Sequence, residues 1–263
     1  MARVVREREE AWGPFTGYVQ PEWKDAYPWL TQGLTGRAGD GPAGAGPGGL
    51  DPEAWARALR PILEVAGVVR LRQVHGAAVH VVGGAASDSA AGAAGAAGTP
   101  ESGDALLTAA PNTALAVFVA DCVPVFLLDP GRRAAGIVHA GWRGAAAGVL
   151  EAATRRFGAA LGSRAADLHL HLGVAICGRC YEVGPEVTEA LGLPSDGRKT
   201  HVDLRDALEA RAVRLGVPAS AITRSPYCTR CDRDRFYSYR GEGKRAGRMA
   251  AVVALSARDP TGR

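Results

Sequence analysis

The stretch that decides the fold runs Ala134-Ala135-Gly136-Ile137-Val138-His139-Ala140-Gly141-Trp142-Arg143-Gly144, with Ala145-Ala146-Ala147-Gly148-Val149-Leu150 after it. An apolar run from Ala134 to Val138 feeds a histidine, a glycine-flanked turn, and an alanine-rich segment that predicts a helix over 145–157. That order is a strand, a tight corner and a helix start. Such a corner offers unpaired backbone N–H groups and a positive dipole end, and here Arg143 as well, to an anion. It sets a candidate metal ligand, His139, beside a candidate anion site. A capped histidine at a strand end is the plainer alternative.

Working outward, Ala114 to Ala120 and Val123 to Leu128 are apolar on both faces, as central strands should be. Asp121-Cys122 interrupts them with two polar groups. Asp104-Ala105-Leu106-Leu107 is short and extended. Val68 to Gln73 and Val79 to Val82 flank the turn His75-Gly76 and predict a hairpin. Asp51-Pro52-Glu53 reads as a cap with Pro at the first helical position, opening a helix to about Leu63 whose apolar face holds Leu59, Ile62 and Leu63. Leu168 to Val174 alternates Leu and His, so His169 and His171 share one face, read here as solvent. Pro185 to Leu191 and Asp203 to Leu215 predict helices, the second capped by Asp203. Met249 to Leu255 predicts a closing strand, and the last residues a polar tail. The early aromatics (Trp12, Phe15, Tyr18, Trp23, Tyr27 and Trp29) are expected to pack one edge. Two Gly-rich stretches, about 39–49 and 83–103, are expected to be loose loops. The irregular alternation gives a mixed α/β (α+β) class: a mixed-sheet sandwich covered by helices, one domain over 1–263.

Charge and length narrow the function classes. The 263 residues carry a net charge of +4 with arginines scattered rather than gathered, so no nucleic-acid stripe is expected. Met1 to Glu10 is charged and lacks the apolar core of a signal peptide, and no apolar run is long enough to span a membrane. With an odd cysteine count of five, a secreted disulfide framework is not expected, and a cytoplasmic location is.

His75, Cys122 and His139 each occupy a strand end or strand break. Their separations are far too long for a zinc finger but suit a site assembled by a preformed scaffold. Two imidazoles and a thiolate make a Cys-His₂ set with one tetrahedral position open. Alone the trio is weak, because Cys122 reads equally as a buried thiol.

Five motifs appear in order: Gln73-Val74-His75-Gly76, Ala120-Asp121-Cys122, His139-Ala140-Gly141-Trp142-Arg143-Gly144, Cys180-Tyr181-Glu182-Val183-Gly184, and Phe236-Tyr237-Ser238-Tyr239-Arg240 with Gly247-Arg248-Met249. Together they resemble the laccase-domain (YfiH-type) family, long labelled multicopper polyphenol oxidases and now regarded as purine nucleoside phosphorylases with adenosine deaminase activity. The resemblance implies a single-domain α/β sandwich with zinc at His75, Cys122 and His139. It also implies a nucleoside and phosphate as substrates. Arg143 is then the candidate for phosphate and Asp121 for acid–base work. Asp121 could instead serve only to hold backbone N–H groups at the strand break. Gln73, Tyr181, Phe236 and Arg240 are the candidate substrate-binding residues, with Tyr181, Phe236 and Tyr237 as stacking rings or, alternatively, core packing. Copper is the alternative cofactor, since a blue site also takes one Cys and two His. A metal-stabilised binding module without turnover is the third reading. Where the family commonly carries Gly-Pro, this chain has Cys177-Gly178-Arg179.

The other four cysteines form two pairs, Cys177-x-x-Cys180 and Cys228-x-x-Cys231, a candidate four-thiolate zinc site that would join two loops near the first. A redox disulfide and unrelated buried thiols are the competing readings.

Overall fold

The computed structural model describes residues 1–13, 15–37, 52–83 and 101–257. The expected loop at 39–49, the bulk of that at 83–103, the cap Asp51 and the tail beyond 257 lie outside those residues. The chain opens with β1 (Arg3–Val4), β2 (Arg8–Trp12), β3 (Phe15–Val19), α1 (Pro21–Ala26) and β4 (Leu30–Thr35). Then come α2 (Pro52–Leu63), β5 (Gly67–Arg70), β6 (Val79–Val82), β7 (Ala105–Thr108), β8 (Thr113–Val119), β9 (Val123–Asp129) and β10 (Ala134–Ala140). After α3 (Trp142–Ala146) and α4 (Val149–Leu161) follow β11 (His169–Leu172), β12 (Glu182–Val183), α5 (Pro185–Leu191) and β13 (Thr200–His201). The chain closes with α6 (Leu204–Arg214), β14 (Ile222–Arg224), α7 (Tyr239–Glu242) and β15 (Met249–Leu255).

Two mixed sheets result. One has seven strands in the order β1-β14-β11-β9-β10-β7-β6, the other six in the order β2-β3-β4-β15-β8-β5. Their facing sides share a core of Phe126, Leu128 and Ile137 from one sheet with Leu115, Val117, Met249 and Val253 from the other. Outside the six-stranded sheet, Trp55, Leu59 and Leu63 of α2 cover Ala116, Phe118 and Val252. Outside the seven-stranded sheet, Val149, Ala153 and Phe157 of α4 and Leu208 of α6 cover Val125, Leu127 and Val138. The layers are therefore helix, sheet, sheet and helices. That is why β8, β9, β10 and β15 are apolar on both faces: neither face meets water. Fully buried Leu and Phe side chains contribute about 1.5–3 kcal/mol each, so apolar packing is the main support of the sandwich. The early aromatics do not share one edge: Trp12 and Phe15 join the α2 layer, where Phe15 stacks on Trp55 at 4.6 Å, while Tyr18, Trp23 and Trp29 enter the core between the sheets.

Four further expectations fail. The 68–82 hairpin does not exist: β5 runs parallel to β8 in one sheet, while β6 runs parallel to β7 in the other. Local pattern cannot choose among partners when every candidate is apolar. The helix over 145–157 is broken at Gly148, whose φ of 81° is left-handed. It divides into the five-residue α3 and thirteen-residue α4, so the corner has only a short helix and an anion there would be held mainly by side chains. His171 is 1% exposed, not on the surface; its two ring nitrogens meet Thr223 and Glu7 at 2.9 and 3.1 Å. Leu-His alternation marks two faces, and here both are covered. Nor is the whole of 83–103 loose, because Ser102 pairs with Arg72.

Candidate active site

Two of the chain's passages between the sheets meet at one end of the sandwich. Residues 71–78 connect β5 to β6, and Ala120, Asp121 and Cys122 connect β8 to β9. Each crossing turns on a non-glycine residue with left-handed backbone, His75 at φ 57° and Asp121 at φ 91°. Such conformations persist only where the surroundings hold them. For His75 the holder is Asp104, which is fully buried and accepts from the backbone N–H groups of Val74, His75 and Gly76 at 3.3, 3.0 and 2.7 Å. For Asp121 the partners are the Thr229 hydroxyl at 2.5 Å and the Arg240 N–H at 2.6 Å.

His139 ends β10 beside these crossings. The ligand atoms of His75, Cys122 and His139 lie within 4.8 Å of one another. Asp104 also takes the His139 Nδ1 at 2.8 Å, which leaves Nε2 for the shared point. Gly141 is required close by: a Cβ there would sit 2.9 Å from the His75 ring and 3.0 Å from the Cys122 sulfur. Burial raises the Cys122 thiol, but hydrogen bonds from His139 and His75 outweigh it and bring it to about 6. Burial lowers His139, and Asp104 together with Cys122 overrides that, raising it to about 9. Near neutrality the favoured state is thus a Cys122 thiolate paired with a protonated His139, and a metal bound there would take the thiolate and displace the Nε2 proton. Two imidazoles, a ready thiolate and a carboxylate fixing one ring fit a divalent ion of borderline softness, with a position left over.

A cleft of about 710 Å³ opens over the trio, within the range usual for small-molecule sites. Arg70, Arg72, Arg143, Arg240 and Arg248 line it, and Asp121 is the only carboxylate among the described residues doing so. The excess of cations suits an anionic substrate. Arg143 stands exposed with its guanidinium 4.3 Å over the Trp142 ring. Arg240 lies 5.0 Å over the Tyr181 ring and donates to the Glu182 carbonyl at 2.7 Å. Burial, the main cause, holds the Tyr181 phenol up at about 12, so it stays neutral.

Not every expected residue reaches this cleft free to act. Phe236 is fully buried between Tyr18 and Tyr227, and Tyr237 is buried too; both are core residues rather than stacking surfaces. Gln73 lines the cleft, but its amide is spent on the Phe118 backbone, donating at 2.8 Å and accepting at 2.7 Å. Asp121 has a hydrogen bond on each oxygen and fastens two loops together. Sequence reasoning missed Asp104, whose only signal was an acid heading an apolar strand. It also missed Thr229, Arg70 and Arg72, and it had Arg248 only as part of a motif. Cys177, Cys180, Cys228 and Cys231 gather into a second group, separate from the trio.

A family model described as multi-copper polyphenol oxidoreductase laccase matches residues 53–256. A Streptomyces griseus protein named purine nucleoside phosphorylase ORF3 is 38% identical, over 88% of this chain and 89% of its own. Adenosine deaminase RL5, from an unknown prokaryotic organism, is 36% identical over 55% of this chain and 59% of its own. The crystal structure of YlmD from Geobacillus stearothermophilus superimposes with a TM-score of 0.80 at 27% identity, covering 96% of this chain and 99% of that one. With the same sandwich and a sequence match over most of its length, this chain belongs to the laccase-domain family.

Proposed function

We propose that the protein is a zinc-dependent purine nucleoside phosphorylase that also deaminates adenosine. What carries the reading is a single cleft that joins the Cys-His₂ trio to a wall of arginines. Its relatives' names point the same way. When bound at His75, Cys122 and His139, zinc supplies a Lewis acid that brings a water's pKa to about 7. In phosphorolysis, phosphate displaces the purine at the ribose anomeric carbon, so a dianion must be held against the sugar. Arg143, exposed on the cleft wall, is assigned to that task through charge-assisted hydrogen bonds. The Tyr181 ring, backed by Arg240, supplies a flat apolar surface for the purine. Asp121 positions the Thr229 and Arg240 loops around the cleft, and Asp104 keeps His139 in one tautomer.

The test is a nucleoside panel with and without phosphate. Phosphate-dependent release of free base and phosphate-independent inosine formation from adenosine are expected. Cys122→Ala should abolish both and strip the trio's metal while the fold persists; unchanged turnover in that variant overturns the assignment. The family's older description keeps a polyphenol oxidase reading in view. A trinuclear copper cluster needs further histidines, and the His169/His171 pair cannot supply them, since His171 is held by Glu7 and Thr223. A redox-dye assay separates the two readings.

A further inference from the structure

The second thiol group has a topological cause. Strands β11 and β14 pair in parallel, Leu170 with Ile222 and Leu172 with Arg224, so the segments leaving their ends travel side by side. An isolated bridge between Ala175 and Cys228 continues the pairing, and the Thr229 N–H donates to the Ala175 carbonyl at 3.2 Å. Each segment then turns through the same pattern, Cys-Gly-Arg-Cys at 177–180 and Cys-Thr-Arg-Cys at 228–231. The first turn is closed by Cys180 N–H to the Cys177 carbonyl at 2.9 Å, and Asp232 steadies the second by accepting from the Cys228 N–H at 2.9 Å. All four sulfurs fall within 4.8 Å of one another.

We infer that Cys177, Cys180, Cys228 and Cys231 bind a structural zinc ion that locks these two loops together beside the cleft. A tetrahedron with Zn–S bonds of about 2.3 Å has sulfur–sulfur edges of about 3.8 Å, and the Cys180 and Cys231 sulfurs are 3.5 Å apart. That is a ligand spacing, not a bond of about 2.0 Å, and all four thiols are free. The Cys177 N–H donates to the Cys228 sulfur at 3.3 Å, a further bond that holds the two turns against each other. Four thiolates around Zn²⁺ leave an anionic centre, and the third position of each turn is an exposed arginine, Arg179 and Arg230, that offsets it. The site is closed, with four protein ligands and no vacancy, which marks a structural rather than a catalytic ion. The two joined loops carry Tyr181, on the cleft wall, and Thr229, which binds Asp121. The ion thus fastens the wall of the cleft from behind, without touching substrate.

Metal analysis of three purified proteins tests this. The unmodified chain should hold two zinc ions, and Cys122→Ala and the Cys177→Ser/Cys231→Ser double variant one each. The Cys122→Ala arm keeps the test independent of the proposed activity, because loss of the trio's ion leaves the four-thiolate ion in place. Should the double variant not fold, cobalt(II) replacement in Cys122→Ala reads the same site. Intense visible bands of a tetrahedral cobalt thiolate are expected, and they should survive Cys231→His but not Cys231→Ala. Equal zinc in the unmodified chain and the double variant, or a Cys122→Ala protein with no metal and four freely titrating thiols, overturns the inference.

Discussion

His75, Cys122 and His139 come from three separate places in a sandwich whose strands are already closed by apolar packing, whereas the four remaining cysteines come from two loops running side by side. At the first corner the scaffold fixes the ligands. Asp104 alone grips three backbone N–H groups of one crossing and the imidazole of another element. At the second corner Asp232, Arg205 and Asp121 steady the loops, but the four sulfurs themselves would be restrained chiefly by their bonds to an ion. A preformed site can lose its metal and keep its shape, and a loop-built site cannot. The comparison therefore predicts that chelation leaves the trio's geometry intact and loosens the loops around 177–180 and 228–231.

The sharpest way to break the first corner is Asp104→Ala. It leaves three backbone donors and a buried imidazole without their acceptor, a loss of about 3–5 kcal/mol for a buried charged partner. Denaturant unfolding should show it, with metal affinity at the trio falling roughly 10–100-fold. A change within error would mean that the sandwich, not Asp104, holds the crossing.

Next in size is the support on the far side of the second corner. Asp203 caps α6 and pairs with Arg205, whose buried guanidinium donates to the Ser225 and Tyr227 carbonyls just ahead of Cys228. Asp203→Ala should destabilise the fold by about 3 kcal/mol and raise exchange of the 225–232 amides. Burial raises the Asp203 carboxyl, but Arg205 and Arg224 outweigh it and hold the folded value below the ordinary one. Its contribution is therefore complete above the unfolded pKa of about 3.9 and fades as pH falls through the still lower folded value. The gap between unmodified chain and variant should be full at neutrality and close only in strong acid.

Arg143→Ala compares the trio with the anion site beside it. Losing one charge-assisted contact should cut the phosphate-dependent rate roughly a hundredfold and spare deamination. Equal loss of both activities would make Arg143 a nucleoside-binding or structural residue. Smallest is Thr229→Val, which removes one hydrogen bond to Asp121. A drop of about 1 kcal/mol in stability is expected, with KM rising more than kcat falls as the wall loosens.

By itself the sequence determined several of the core elements and many of the residues with chemistry to offer. The helix Pro185–Leu191, the cap Asp203 and the strand Met249–Leu255 stand where pattern and capping residues put them, because these signals are local. The trio was legible as polar interruptions of apolar runs, and the paired cysteines as a repeated spacing. Tertiary structure alone decided which sheet each strand joins. A strand buried on both faces carries no mark of its partner, so the 68–82 hairpin gave way to a single crossing from one sheet to the other. Phe236 and His171 went inside for the same reason: an aromatic ring or an imidazole is oriented by distant packing, not by its neighbours in the chain. Asp104 shows the limit most clearly, since its role depends on Val138 pairing with Ala105, a register that sets it beside His139 and that no local pattern specifies.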